Sequence, residues 1–127
     1  MKLNHEGVRD LMLAIESVEK PGAFLLSCLQ ANQEPLKAYT LDELGYAAAR
    51  LIEAKYLNGK PAYDNSLDHT IKNMTWEGHQ FLDNIRDNGV WKDTKAVIAK
   101  FSSVSLGLMS DVASKVITEL VKTQLRL

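Results

Sequence analysis

The sequence predicts a mainly α fold with one small β-hairpin, set out as a domain over residues 1–89 and a helical extension over residues 90–127. Three observations predict it. Apolar residues recur at helical spacing in several separate stretches. Those stretches open on Asn, Thr or Ser, whose side chains accept from the free N–H groups of a first turn. A single segment, residues 56–74, reads instead as two short extended runs around a polar tip, Asp64-Asn65-Ser66.

The first helix is expected from Asn4 to Glu19, with Asn4 as N-cap and Glu6 in the first turn. Val8, Leu11, Met12, Ile15 and Val18 form its buried face, Lys20 suits its C-terminal end, and Pro21-Gly22 stops it. The run 23–29 is short and apolar, so periodicity leaves strand and helix both open, and Pro35 then breaks the chain. The second strong helix is expected from Leu41 to about Lys55. Thr40 and Glu43 form a capping box there, and Tyr39 and Leu44 are spaced as a hydrophobic staple. Its apolar stripe is Leu41, Leu44, Ala48 and Leu51.

The hairpin follows. Tyr56-Leu57 leads out, Asn58-Gly59 marks a turn or kink, and residues 69–74 return. Thr75 caps the next helix, and Gly78 in its first turn permits close approach to a neighbour. Phe81, Leu82 and Ile85 are its buried side, and Asn88-Gly89 is expected to end it. Residues 90–101 read as a short helix broken at Ser102-Ser103. The last helix starts near Ser105, with Leu106, Met109, Ala113, Val116, Leu120, Thr123 and Leu127 spaced alternately three and four apart.

With 127 residues the chain is long enough to bury a core as one folding unit. Its 46% hydrophobic and 24% charged residues are ordinary for a globular protein. The net charge of −1 gives no global attraction to polyanions, but the charge is uneven: residues 41–89 sum to −3 and residues 90–127 to +3. Cys28 is the single cysteine, which excludes an internal disulfide and suits a reducing compartment. No stretch approaches the roughly 20 apolar residues of a membrane span, and the first residues do not read as a signal peptide, so a cytoplasmic location is expected.

One ordered set of elements resembles winged-helix domains. A capped helix ends Leu51-Ile52-Glu53-Ala54-Lys55-Tyr56-Leu57, a hairpin follows, and Thr75-Trp76-Glu77-Gly78 opens a helix with an early glycine. Where such domains carry a glycine before the apolar pair, this chain has Lys55, and the preceding support helix is not evident in residues 23–38. The whole chain also resembles a family of small phage and prophage proteins, domain of unknown function 2513. The resemblance rests on residues 1–5, Val8-Arg9-Asp10-Leu11, Leu51-Ile52-Glu53-Ala54, and above all Thr75-Trp76-Glu77-Gly78-His79 with residues 81–87. Val90-Trp91-Lys92 and Ser103-Val104-Ser105-Leu106 extend it. It implies a phage-linked origin and brings no activity and no functional residues.

Two functional readings follow. In the first, a regulator binds double-stranded DNA. Tyr46, Ala49 and Arg50 would face the major groove, and Lys55, Lys60 and Lys72 would meet phosphates. Asp42 and Glu43 at the helix start oppose that approach. In the second, the chain is a docking module, for instance one that binds a host protein. For its last helix two readings stand: packing on its own domain, or a homodimer seam through Leu106, Met109, Val112, Val116 and Leu120, which would pair two DNA-reading helices and favour the first functional reading.

Catalysis is not expected. His5, His69 and His79 show no ligand spacing, and the hairpin group Asp64, Asp68 and His69 reads as a solvated tip rather than a metal site. Glu77 beside His79 suggests packing at a helix start more than acid–base work. Cys28, Trp76 and Trp91 are expected in the core, no phosphate-binding loop is present, and no cofactor is expected.

Overall fold

The computed structural model describes residues 1–18 and 21–126. The expected ends of the first helix at Glu19 and Lys20, and the terminal Leu127 of the last stripe, lie outside the described residues. The chain divides into two compact units, Met1–His79 and Gln80–Leu127.

The first unit opens with α1 (His5–Glu16), capped by Asn4, whose Oδ1 accepts from the Gly7 amide at 3.1 Å. Val8, Leu11, Met12 and Ile15 are buried as the spacing predicts. The helix closes at Ser17, whose hydroxyl donates to the Ala14 carbonyl at 2.6 Å, so it stops before Pro21 is reached.

The open segment 23–38 resolves into both alternatives. β1 (Phe24–Leu25) is followed directly by α2 (Leu26–Asn32) and a 3-10 turn (Glu34–Ala38) carrying Pro35 near its start. Leu26, Leu29 and Leu36 are buried. Cys28, expected in the core, is exposed. It sits two residues beyond Leu26, on the opposite side of a helix that buries positions three apart.

α3 (Leu41–Glu53) has the full capping box, with the Thr40 hydroxyl accepting from the Glu43 amide and the Glu43 carboxylate accepting from the Thr40 amide, both at 3.1 Å. Asn4 Nδ2 also donates to Glu43, at 3.3 Å, so the caps of α1 and α3 meet. Leu44, Ala48 and Leu51 are buried, with Ala47 beside them.

The helix ends in a left-handed turn. Lys55 adopts φ +66°, the Lys55 amide donates to the Ile52 carbonyl at 3.0 Å, and the Tyr56 amide donates to the Leu51 carbonyl at 2.9 Å. These two bonds are the Schellman pattern, which ordinarily places glycine at this position.

β2 (Leu57–Pro61) and β3 (His69–Met74) form the hairpin, and β1 adds antiparallel to β3, giving the order β1-β3-β2. Asn58-Gly59 is neither turn nor strand end but a register irregularity inside β2. A Cβ on Gly59 would press on the Thr70 carbonyl oxygen across the pair. The buried residues of β3 are His69, Ile71 and Met74, and Leu57 pairs with Met74 at the base.

The hairpin's return is fastened by Asp68, which accepts from the Ser27 amide at 2.9 Å, the Ser27 hydroxyl at 2.5 Å and the His69 amide at 3.0 Å. His69 is buried with Nδ1 3.0 Å from the Leu67 carbonyl. Two of the three residues weighed as a solvated tip are thus structural. Gly45 of α3 lies against the backbone of Leu67, where a side chain would meet its carbonyl oxygen.

α4 (Trp76–Ile85) starts at Thr75, whose hydroxyl accepts from the Gly78 amide at 3.0 Å and donates to the Lys55 carbonyl at 2.6 Å. Gly78 has the close neighbour expected of it, the carbonyl of Tyr56. Trp76, expected in the core, is 72% exposed. It is the first helical residue and lies off the face that carries Gly78, Phe81, Leu82 and Ile85.

In the second unit, α5 (Asn88–Ile98) begins where a stop was expected. Asp87 caps it by accepting from the Val90 amide at 2.9 Å, which makes Asn88-Gly89 a helix start. Val90, Trp91, Thr94 and Ile98 are buried, and the Thr94 hydroxyl donates to the Val90 carbonyl at 2.7 Å. α6 (Leu106–Leu125) is capped by Ser105 and buries Leu106, Met109 and Ala113. Asn84 Nδ2 donates to the Ser110 hydroxyl at 3.0 Å, tying the end of α4 to α6.

Candidate nucleic-acid interface

The residues singled out for DNA fall into three groups on the first unit. On the outer side of α3, Tyr46 and Arg50 stand one turn apart, with the guanidinium 5.3 Å from the ring centroid. Arg50 also pairs with Glu53 at 2.8 Å, both side chains being largely exposed. An exposed pair of this kind contributes at most about 1 kcal/mol, so it orients the guanidinium without locking it. Ala49 is half-buried beside them.

Lys60 and Lys72 form the second group. Lys60 pairs with Thr70, and Lys72 lies two residues further along β3, so alternation puts both cations on the outer face of the sheet. Ile71 and His69 point to the inner, buried face. Leu25, also paired with Thr70, shares the outer face and is 38% exposed. A hollow of about 570 Å³ lies alongside, lined by Gly22, Ala23, Asn58, Lys72 and Asn73.

Lys55 stands apart from both groups. It lines a hollow of about 490 Å³ where the end of α3, the start of β2 and the start of α4 meet, together with Ile52, Asn58, Thr75 and Glu77.

Two acids of the first unit, Asp68 and Glu43, are held by hydrogen bonds. Burial would raise the Asp68 pKa, but the bonds from the Ser27 hydroxyl, the Ser27 amide and the His69 amide outweigh it and hold the carboxyl below its ordinary value. The Thr40 amide, with Asn4, does the same for Glu43. Both stay ionised through the neutral range. Tyr39, whose hydroxyl donates to Asp10 at 2.7 Å, is driven well above the usual phenol range by burial first and by the Asp10 carboxylate second.

The five residues expected to join two copies divide. Leu106 and Met109 are buried within the single chain and give no surface for a second one. Helical spacing alone does not distinguish a stripe spent on the chain's own core from one left open. Val112, Val116 and Leu120 line an open groove of about 560 Å³ between α5 and α6, with Asp93, Val97, Lys115, Glu119 and Thr123.

The sequence reading missed the exposed aromatics Tyr63 and Trp76, 71% and 72% accessible. It also missed Val97, which a helical wheel of α5 would have placed off the face of Val90, Thr94 and Ile98. Among the described residues no group of three or more His, Cys, Asp or Glu side chains is placed to hold a metal ion. None of the described helices is long and apolar enough to cross a membrane.

Among known proteins, an uncharacterized protein of Haemophilus influenzae is similar to this chain, 29% identical over 123 residues that cover 95% of the chain and 99% of the relative. No solved structure matches this chain at a significant level. The profile of the family described as hypothetical protein (DUF2513) matches residues 2–105, ending at the N-cap of α6. That span is most of the sequence, and the chain belongs to the DUF2513 family.

Proposed function

We propose that residues 1–89 act as a winged-helix module of phage or prophage origin that binds double-stranded DNA as a regulator. The observation that carries this reading is the order of elements: α1, β1, α2, α3, β2, β3, with the sheet ordered β1-β3-β2 and two cations, Lys60 and Lys72, on the outer face of the hairpin. In this arrangement α2 is the support helix, α3 enters the major groove with Tyr46 and Arg50, and the hairpin is a wing that meets phosphates. Arg50, released from Glu53, has the planar fork that reads a guanine edge. Phosphate neutralisation supplies most of the affinity and makes it steeply salt-dependent.

The test is fluorescence anisotropy on random and cognate-region duplex across a salt series. Binding at low salt is expected. Lys60→Ala with Lys72→Ala should lower the log–log salt slope by about 2, one per lost phosphate contact. No binding at low salt refutes the reading.

One observation favours a second reading, docking on a host protein. Asp42 and Glu43 at the start of α3 and Glu53 paired to Arg50 leave that helix with more acid than base. A pull-down from host lysate that retains one protein, and loses it in Tyr46→Ala with Arg50→Ala, would support this reading over DNA.

A further inference from the structure

We infer that the α5–α6 groove is occupied by α6 of a second copy of this chain, running antiparallel. The inference concerns the second unit alone and stands or falls independently of DNA binding.

The first observation is that α6 has no visible reason to be helical beyond its middle. Leu106, Met109 and Ala113 are buried, but from Ser114 onward no described residue of the helix is. About 18 Å of helix remains there, at 1.5 Å per residue. It carries the β-branched residues Val116, Ile117, Thr118, Val121 and Thr123, which lower helix propensity. An isolated segment of this length and composition is marginal in water, and packing of an apolar face is what normally supports one. Leu120 is 49% exposed, so the groove side of this segment lies open, whereas Val121 and Leu125, also exposed, point away from the groove.

The second observation is the charge pattern of the groove itself. Its floor is apolar, from Val97, Val112, Val116 and Leu120, and its α6 rim carries Lys115 and Glu119. Lys115 and Glu119 are four residues apart, as are Val116 and Leu120. A two-fold axis passing near Thr118 therefore sets Val116 against Leu120 of the other copy, and Lys115 within about 3 Å, along the axis, of the other copy's Glu119. Symmetry forms each contact twice. In a parallel pair about a two-fold axis along the seam, Lys115 and Glu119, which share one flank, would face the partner's other flank and form no pair with each other. The lining is thus complementary to itself in one direction only.

Sedimentation velocity of the full chain over a range of micromolar concentrations is the experiment. A concentration-dependent dimer is expected, abolished by Val116→Glu, with circular dichroism confirming that this variant keeps its fold. Lys115→Glu or Glu119→Lys alone should weaken the dimer roughly 3- to 30-fold, through two exposed ion pairs. The double exchange Lys115→Glu with Glu119→Lys should restore it, as only the antiparallel arrangement allows. A chain that stays monomeric overturns the inference and leaves the groove to another protein. A dimer indifferent to Val116→Glu overturns the groove as its seam, and a double exchange that fails to restore affinity overturns the antiparallel direction.

Discussion

Lys55→Gly should make this protein more stable while weakening any contact it has with DNA. Lys55 is held at φ +66° between the end of α3 and the start of β2, in a Schellman turn made by the amides of Lys55 and Tyr56. A residue with a Cβ costs about 1–2 kcal/mol in that left-handed region, a cost glycine does not bear. Glycine's greater freedom in the unfolded chain returns roughly 0.5–1 kcal/mol of that gain. The Lys55 side chain is exposed, so little packing is lost. The net expectation is a stabilisation of about 0.5–1 kcal/mol.

For a chain of 127 residues that corresponds to a Tm increase of roughly 2–4 °C, read by far-UV circular dichroism, with a matching rise in the urea midpoint at unchanged slope. Lys55→Ala is the control. It removes the same charge but keeps the Cβ in the left-handed region, so it should not stabilise. If Lys55→Gly leaves the midpoint unchanged or lowers it, the turn is not strained as argued. If Lys55→Ala stabilises equally, the effect belongs to the charge and not to the backbone.

Other substitutions test the same framework. Gly78→Ala drives a methyl into the Tyr56 carbonyl, and displacing backbone should cost about 1–3 kcal/mol or prevent folding, as the urea midpoint or soluble yield would report. Asp68→Asn removes charge-assisted bonds from Ser27 and should cost about 1–3 kcal/mol. Because the folded pKa of Asp68 lies below its unfolded value of about 3.9, its contribution is present above that pH and is lost as pH falls through the folded pKa. Wild type should therefore lose stability in acid more steeply than Asp68→Asn, and parallel pH profiles would contradict the assignment. Thr40→Ala removes one half of the α3 capping box and should cost about 1 kcal/mol by urea unfolding.

Signals that act within a few residues were legible in the sequence. Asn4, Thr40, Thr75 and Ser105 cap the helices they were expected to cap, because a cap is a bond between a side chain and an amide two or three residues on. The buried faces of α1, α3 and α4 followed from spacing for the same reason. Even the departure at Lys55 was visible as a residue out of place, though its left-handed backbone was not.

What the sequence left open or misplaced depended on partners distant along the chain. Residues 24–25 are a strand only because β3, some 46 residues later, offers a free edge. Asp68 looked like a solvated tip, yet it bonds Ser27, 41 residues away. Asn88-Gly89 carried a stop signal, and the cap at Asp87 turned it into a start. Cys28 and Trp76 are apolar enough for a core, but the folded chain turned its helices so that other residues face inward. Hydrophobic spacing put Leu106, Met109, Val112, Val116 and Leu120 on one stripe, and only packing decided that Leu106 and Met109 are used internally while Val116 and Leu120 line an open groove. Local chemistry wrote the elements into the sequence; which face of each is buried is a property of the assembled chain, because burial is decided by what arrives opposite.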